Sequence, residues 1–280
     1  MPIHPLPAVP QDGDIFLRAH QGDEDAFSDL IMPWRTPLLA YLYRMVGHWE
    51  DGEDLTQDVL VSVAERVRRD PPPRALRVWL FKLATRLCFE YLSTRRRWRV
   101  DAQKIASRAA IADPEATRRF SRIKSDPGFE FDVREHVAFC LTCIGRTLPP
   151  HSQAVLMMKE LFGLDIAECA EAVDVSGSVA TELLAGARSE MKRALNGLCR
   201  LTDPKGRCDL CLSLRNGVPK DRRGENLERL DPEAGVEPTA DSLLDARLRI
   251  AREADLETGR SRMFHRLFFD GLSHQEDPRW

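Results

Sequence analysis

The sequence predicts an all-α chain: two small helical domains joined by a linker and followed by a C-terminal extension. Three observations carry this. Ala, Leu, Glu and Arg dominate the 280 residues and only 7% are aromatic, a balance that favours helix over sheet. Within 14–99 and 131–197, apolar residues recur every three or four positions, the helix period. The strongest case is Leu76 to Leu92. There Lys82, Arg86, Glu90 and Ser93 form a narrow polar stripe and nearly everything else is apolar, so such a helix buries most of its circumference.

With 43% hydrophobic and 30% charged residues, a chain disordered throughout is excluded. Its length accommodates two domains and additional material. The net charge of −3 does not by itself point to nucleic acid. The charge is segregated, however. Glu50 to Asp58 carries five acids and no base, and Arg66 to Arg99 carries 11 bases against 2 acids. One face of a protein can meet DNA while its total charge stays negative. The N-terminal stretch MPIHPLPAVPQDGD has no basic n-region and no apolar h-region, so no signal peptide is expected. No apolar run reaches membrane-spanning length. A cytoplasmic location without membrane insertion is therefore expected, and seven cysteines are read there as thiols or metal ligands.

Residues 1–13 read as a disordered start and 14–99 as the first domain. Ile15 to His20 begins a short helix, and Asp23 to Tyr43 continues as a longer one punctuated by Pro33 and Pro37. Gly47 to Gly52 reads as a turn with Asp51 as N-cap, and Glu53 and Asp54 suit the dipole of the first turn. Leu55, Val59, Leu60, Val63 and Val67 form its expected buried face. DPPPR at Asp70 to Arg74 is a stiff lead into the helix that starts near Leu76. That helix runs into Arg95, Arg96, Arg97 and Arg99 around Trp98, a grouping suited to phosphates and unstacked bases.

Three segments in order carry a family resemblance: Gln21 to Phe27, Asp51 to Val59, and Val78 to Arg86. Together they resemble region two of the extracytoplasmic-function sigma factors of bacterial RNA polymerase. The resemblance implies that the helix from Asp51 docks on core polymerase through Asp51, Asp54, Gln57 and Asp58. It also implies that Trp79, Lys82, Arg86, Arg95, Arg96 and Arg97 face the melted promoter strand. The family commonly shows Arg-Asn after the Ala, where this chain has Thr85-Arg86.

Residues 100–130 read as a linker with room for one short helix. In 131–197, helices are expected at Phe131 to Thr147, Ser152 to Leu161, Asp165 to Val173 and Ser178 to Leu195. Asp174 to Gly177 is the tight turn, with Ser176 as cap. Ile166, Ala170, Val173, Val175, Val179 and Leu183 fit the internal contacts of a helix-turn-helix. From Leu148 to Met191 the chain resembles sigma region four. Its recognition helix offers Ser178, Ala180, Thr181 and Glu182 before the first base, Arg188. Fewer cations mean weaker phosphate anchoring.

Residues 198–280 form the extension. Two C-x2-C pairs, Cys140/Cys143 and Cys208/Cys211, match the four thiolates of a tetrahedral zinc site, with His136 and Cys199 as alternates. Buried packing cysteines and a reversible dithiol are the competing readings. Gly217 to Asp241 reads as a tether and Leu243 to Leu272 as helix, with Leu244, Leu248, Met263, Leu267 and Phe268 buried.

The expected function is that of a sigma factor which directs core RNA polymerase to promoters and assists opening. Its partners are then core polymerase, promoter DNA and, as a further candidate, an anti-sigma factor. It needs no cofactor for that task and no enzyme chemistry. A polymerase-independent helix-turn-helix regulator is the alternative, and a thiol or metal enzyme ranks third. Neither C-x2-C follows a strand, and no Gly-rich phosphate loop is present.

Overall fold

Residues 24–46 show how local chemistry sets the breaks. The computed structural model describes residues 6–7, 13–71, 73–95, 112–126, 133–195 and 240–253, and every regular element among them is helical. Helix α1 spans Gly13–His20 and α2 spans Glu24–Ile31. Asp23 caps α2, its carboxylate accepting from the Ala26 amide at 3.0 Å. Pro33 cannot donate to an α-helical ladder, and at that point the chain takes one 3-10 turn, Met32–Trp34, before α3 at Arg35–Val46. Pro37 lies in the first turn of α3, where its missing N–H costs nothing.

Helix α4 spans Trp49–Arg69 and is capped by His48, not Asp51. The helix therefore starts earlier than a turn over Gly47 to Gly52 with Asp51 as cap implied. Gly52 is buried inside it, and a Cβ there would meet the Tyr43 Cα at 3.2 Å. The glycine marks the close approach of α3 and α4, not a turn. Leu55, Val59, Val63 and Val67 are buried as the period predicts, while Leu60 sits at the margin. Each such side chain contributes on the order of 1.5–3 kcal/mol when fully buried. His20 Nδ1 donates to the Val67 carbonyl at 2.7 Å and ties α1 to the end of α4.

Helix α5 spans Leu76–Ser93. Helices α6 (Pro114–Ser125) and α7 (Val133–Gly145) follow. Then come α8 (Pro150–Glu160), α9 (Ile166–Val173), α10 (Gly177–Leu195) and α11 (Ala240–Glu253). Helix α6 lies in the stretch read as linker, pinned by Glu115, which accepts from Arg118 at 2.9 Å and Arg119 at 3.3 Å.

The chain separates into two compact units. One contains Pro5–Arg96 and Pro150–Gly186, the other Met1–His4, Arg97–Pro149 and Ala187–Trp280. In the first unit, α8 and α9 pack on α3 and α5. Tyr41, Phe81 and Phe162 make a mutual ring cluster with centroids 5.2 Å (Tyr41–Phe81), 5.8 Å (Tyr41–Phe162) and 5.3 Å (Phe81–Phe162) apart, the two pairs with Tyr41 edge-to-face and the third tilted. The buried Gln153 amide donates to the carbonyls of Arg44 at 2.9 Å and Met45 at 3.1 Å. In the second unit α11 packs on α7, with Leu244, Ala246, Leu248 and Ala251 buried. Met263, Leu267 and Phe268 lie outside the described residues. Among the described residues no helix is long and apolar enough to cross a membrane.

Candidate nucleic-acid interface

On α5, the spacing of Trp79, Lys82, Arg86 and Glu90 puts them in one line along the helix. The opposite side is fixed by Leu76, Leu80, Phe81, Ala84, Cys88 and Leu92, all buried. That burial holds the line outward: the Lys82 and Arg86 side chains are 44% and 51% exposed. Arg86 Nε lies 3.8 Å from Glu90 Oε1, a loose i,i+4 pair. Thr85, at the position where the sequence departs from the family, is 1% exposed. It shares a 2.8 Å hydrogen bond with the Tyr41 hydroxyl. It serves the core, so Arg86 alone of that dipeptide faces outward.

At the end of α5, Arg95 stacks 3.4 Å over the Tyr91 ring and donates to the Tyr91 carbonyl at 3.1 Å. A guanidinium there satisfies a terminal carbonyl and suits the negative end of the helix dipole. Arg96 and Arg97 lie outside the described residues.

The line opens into a cleft of about 550 Å³ that also receives Arg66, Phe89 and His151. The Phe89 and His151 rings lie 4.4 Å apart, tilted by 40°. Its far wall is acidic, with Glu171 and Asp174 from α9 and its C-cap. Such a cleft combines flat rings and cations, the elements that hold single-stranded nucleic acid.

On α4, Asp54, Gln57 and Asp58 are exposed. Asp51 is half-buried and engaged: Tyr91 donates its hydroxyl to Asp51 Oδ2, and His48 Nδ1 lies 3.3 Å away. Three of the four residues read as polymerase-facing thus share an open acidic surface, while the fourth braces α4 against α5.

In the helix-turn-helix, Asp165 and Glu168 form a reciprocal capping box on α9. Asp174 closes α9 in the left-handed region at φ 61°. Ser176 caps α10, accepting from the Val179 amide at 3.3 Å. Ser178, Thr181 and Glu182 are exposed. Ala180 is not available to DNA: it is 0% exposed, while Val179, expected inside, is 40% exposed. The helix phase is one residue on from the expected one, and a sequence with Val and Ala adjacent does not distinguish them. Arg188 donates to Asp245 Oδ1 at 2.5 Å, and Lys192 pairs with Asp241, so the basic end of α10 meets α11.

Cysteine chemistry is muted where it is described. Burial pushes the Cys169 thiol up to about 12, which leaves it unreactive. Cys143 and His136 are buried and Cys140 half-buried on α7. Desolvation pulls His136 down to about 3. Among the described residues no group of three or more His, Cys, Asp or Glu is arranged to hold a metal. Cys199, Cys208 and Cys211 lie outside them.

The family description "Sigma-70 region 2" matches residues 30–98, the span that contains α3 to α5 and the line on α5. The chain is 29% identical over 182 residues to the ECF RNA polymerase sigma factor SigG of Mycobacterium tuberculosis, covering 61% of this chain and 48% of that protein. The chain thus spans about half the length of that curated relative. It is 23% identical over 182 residues to the ECF RNA polymerase sigma factor SigW of Bacillus subtilis, covering 64% of this chain and 93% of that protein. Among solved structures, CnrH in complex with the cytosolic domain of CnrY is similar at 19% identity and a TM-score of 0.45, covering 65% of this chain and 96% of that one.

Proposed function

We propose that this chain is an extracytoplasmic-function sigma factor that directs core RNA polymerase to promoters and helps open them. The observation that carries the reading is the outward line of Trp79, Lys82 and Arg86 on α5, within the region-two match. A base unstacked from the duplex finds aromatic faces there, and its phosphates find cations. The sequence continues from the end of α5 with Arg95, Arg96 and Arg97, to which we assign further contacts to that strand. Asp54, Gln57 and Asp58 offer core polymerase a separate acidic surface, with Asp51 holding α4 to α5. Ser178, Thr181 and Glu182 provide the duplex contact upstream, a weak one because the first cation of α10, Arg188, is held by Asp245.

The partners are core RNA polymerase and promoter DNA in the cytoplasm, with an anti-sigma factor as a candidate regulator. The sigma task asks no catalytic group or cofactor of the chain. A structural or sensing zinc shared by Cys140, Cys143, Cys208 and Cys211 is supported by the two C-x2-C pairs, and elemental analysis of the purified chain decides it. The experiment for the main reading is capture on bacterial core polymerase followed by transcription from candidate promoters. Capture with promoter-dependent initiation is expected. Duplex binding by the chain alone, with no capture on core, refutes it in favour of a free-standing regulator.

A further inference from the structure

Where α5 ends, three side chains from its last turn, its exit and the neighbouring helix are locked together. Tyr91, in the last turn of α5, donates its hydroxyl to Asp51 Oδ2 in the first turn of α4. The two residues stand 40 positions apart in sequence, so the bond ties the end of one helix to the start of the other. Arg95 lies on the same ring, its guanidinium carbon 3.4 Å from the ring centroid. One guanidinium nitrogen, Nη1, donates to the Tyr91 carbonyl at 3.1 Å and to the Thr94 hydroxyl at 3.5 Å. Among the described residues, Nε and Nη2 take no acceptor. The ring is thus held at its hydroxyl by α4 and backs one face of the guanidinium, while Arg95 itself is exposed.

Capping the helix end does not ask for this arrangement. Any cationic side chain near the last turn can meet a terminal carbonyl, and a lysine needs no ring beneath it. Stacking on an aromatic face suits the planar guanidinium and fixes the plane in which its N–H groups project. With Nη1 turned to the backbone, the Nε–Nη2 edge is left, and such an edge is the fork that holds a phosphate through two parallel bonds. An unrestrained arginine gives up rotamer freedom when it binds, whereas a stacked one has given up much of it beforehand.

We infer that Tyr91 is a positioning residue for promoter opening: its ring, anchored through the hydroxyl to Asp51 of α4, presents the Nε–Nη2 edge of Arg95 to a phosphate of the melted strand. This deepens the function proposed above and rests on it. Tyr91 acts through Arg95 and touches no nucleic acid in this role. The anchor also builds the strand contact on the first turn of the helix assigned to core polymerase.

A cycle of substitutions in the full chain separates positioning from support of the fold. Tyr91→Leu, Tyr91→Phe, Arg95→Lys, Arg95→Ala and the double variant Tyr91→Leu/Arg95→Ala are each bound to core polymerase. Opening of a promoter on which the unaltered chain initiates is read by permanganate reactivity at about 0.1 M salt. Retention on core and the melting midpoint of each free chain are measured beside it. An exposed guanidinium–ring contact is worth about two- to fivefold in an equilibrium. Opening should therefore fall about fourfold with Tyr91→Leu, and by a similar factor with Arg95→Lys, which keeps the charge and loses the plane. Arg95→Ala should lose at least as much, and Tyr91→Leu added to it should change nothing further. Tyr91→Phe keeps the ring and should lose less than about twofold. Unchanged opening with Tyr91→Leu, a Tyr91→Phe loss equal to it, or a further fall in the double variant overturns the inference. Should Tyr91→Leu lower the melting midpoint, Arg95→Lys decides, because it alters an exposed side chain only; full opening with lysine overturns the inference. Retention on core is expected of every variant. Its absence in the unaltered chain overturns the function itself, and the inference with it.

Discussion

Replacing Phe162 with Ala tests whether residues 150–186 share one core with α3 and α5. Phe162 is 4% exposed and lies 5.8 Å from Tyr41 and 5.3 Å from Phe81, ring to ring. Truncation removes two of the three ring contacts in the cluster and leaves a cavity lined by the third pair. A buried Phe→Ala change costs about 3–5 kcal/mol, cavity included. Ring-pair geometry accounts for about 0.5–1.5 kcal/mol per pair within that sum. Set against a total stability of about 5–15 kcal/mol, this is a large fraction. In a chain of this size each kcal/mol moves the midpoint by about 2–4 °C, so a fall of roughly 6–20 °C is expected. The assay is thermal and urea unfolding followed by tryptophan fluorescence. Trp34 is 1% exposed and Trp49 6% exposed, and both report on the segment that precedes α5. Their midpoint must fall although the substitution is more than a hundred residues away in sequence. A loss below about 1 kcal/mol, or an unmoved tryptophan midpoint beside a shifted helix signal, refutes the shared core.

Two further outcomes concern other parts of the chain. The folded chain keeps His136 neutral down to about pH 3, whereas the unfolded chain takes up that proton near 6.5. The unfolded state therefore binds more protons in between, and stability falls as pH drops from 6.5 towards 3. By pH 4.5 the loss reaches at most about 3 kcal/mol. His136→Leu should flatten the slope of urea midpoint against pH over that window, and an unchanged slope contradicts the assignment. Replacing Arg95, Arg96 and Arg97 together with Ala should cut promoter opening, read by permanganate reactivity, roughly tenfold at 0.1 M salt while capture on core stays intact. Unchanged opening removes these residues from the strand track.

Much of the fold was legible because each helix declares its apolar face by period. Leu55, Val59, Val63 and Val67 are buried as spaced, and Pro33 divides the long N-terminal pattern where its missing donor requires. Errors arose where one residue type serves two purposes. Gly52 read as a turn because close helix packing and turns both select glycine; its neighbour Tyr43, on a different helix, decides the case. Val179 and Ala180 exchanged places because a one-residue phase shift leaves the apolar count unchanged. Thr85 stood out in the sequence as a departure at the strand-facing motif. Only the distant Tyr41 hydroxyl explains it, as a buried hydrogen bond between α3 and α5. The pairs Arg77 to Glu168 and Lys82 to Asp174 join residues some ninety positions apart. Period shows which face of a helix is apolar or charged, but not which other face it meets, so the acidic wall opposite Trp79 was beyond reach.

The most direct measurement is the binding of purified full-length chain to bacterial core RNA polymerase, with Asp54→Lys/Asp58→Lys as the companion variant. The unaltered chain is expected to be retained on core and to start transcription from a defined promoter, and the doubly reversed α4 surface to lose retention while its helix content and melting midpoint persist. Retention that survives the charge reversal contradicts the place given to α4. No retention of the unaltered chain contradicts the account as a whole.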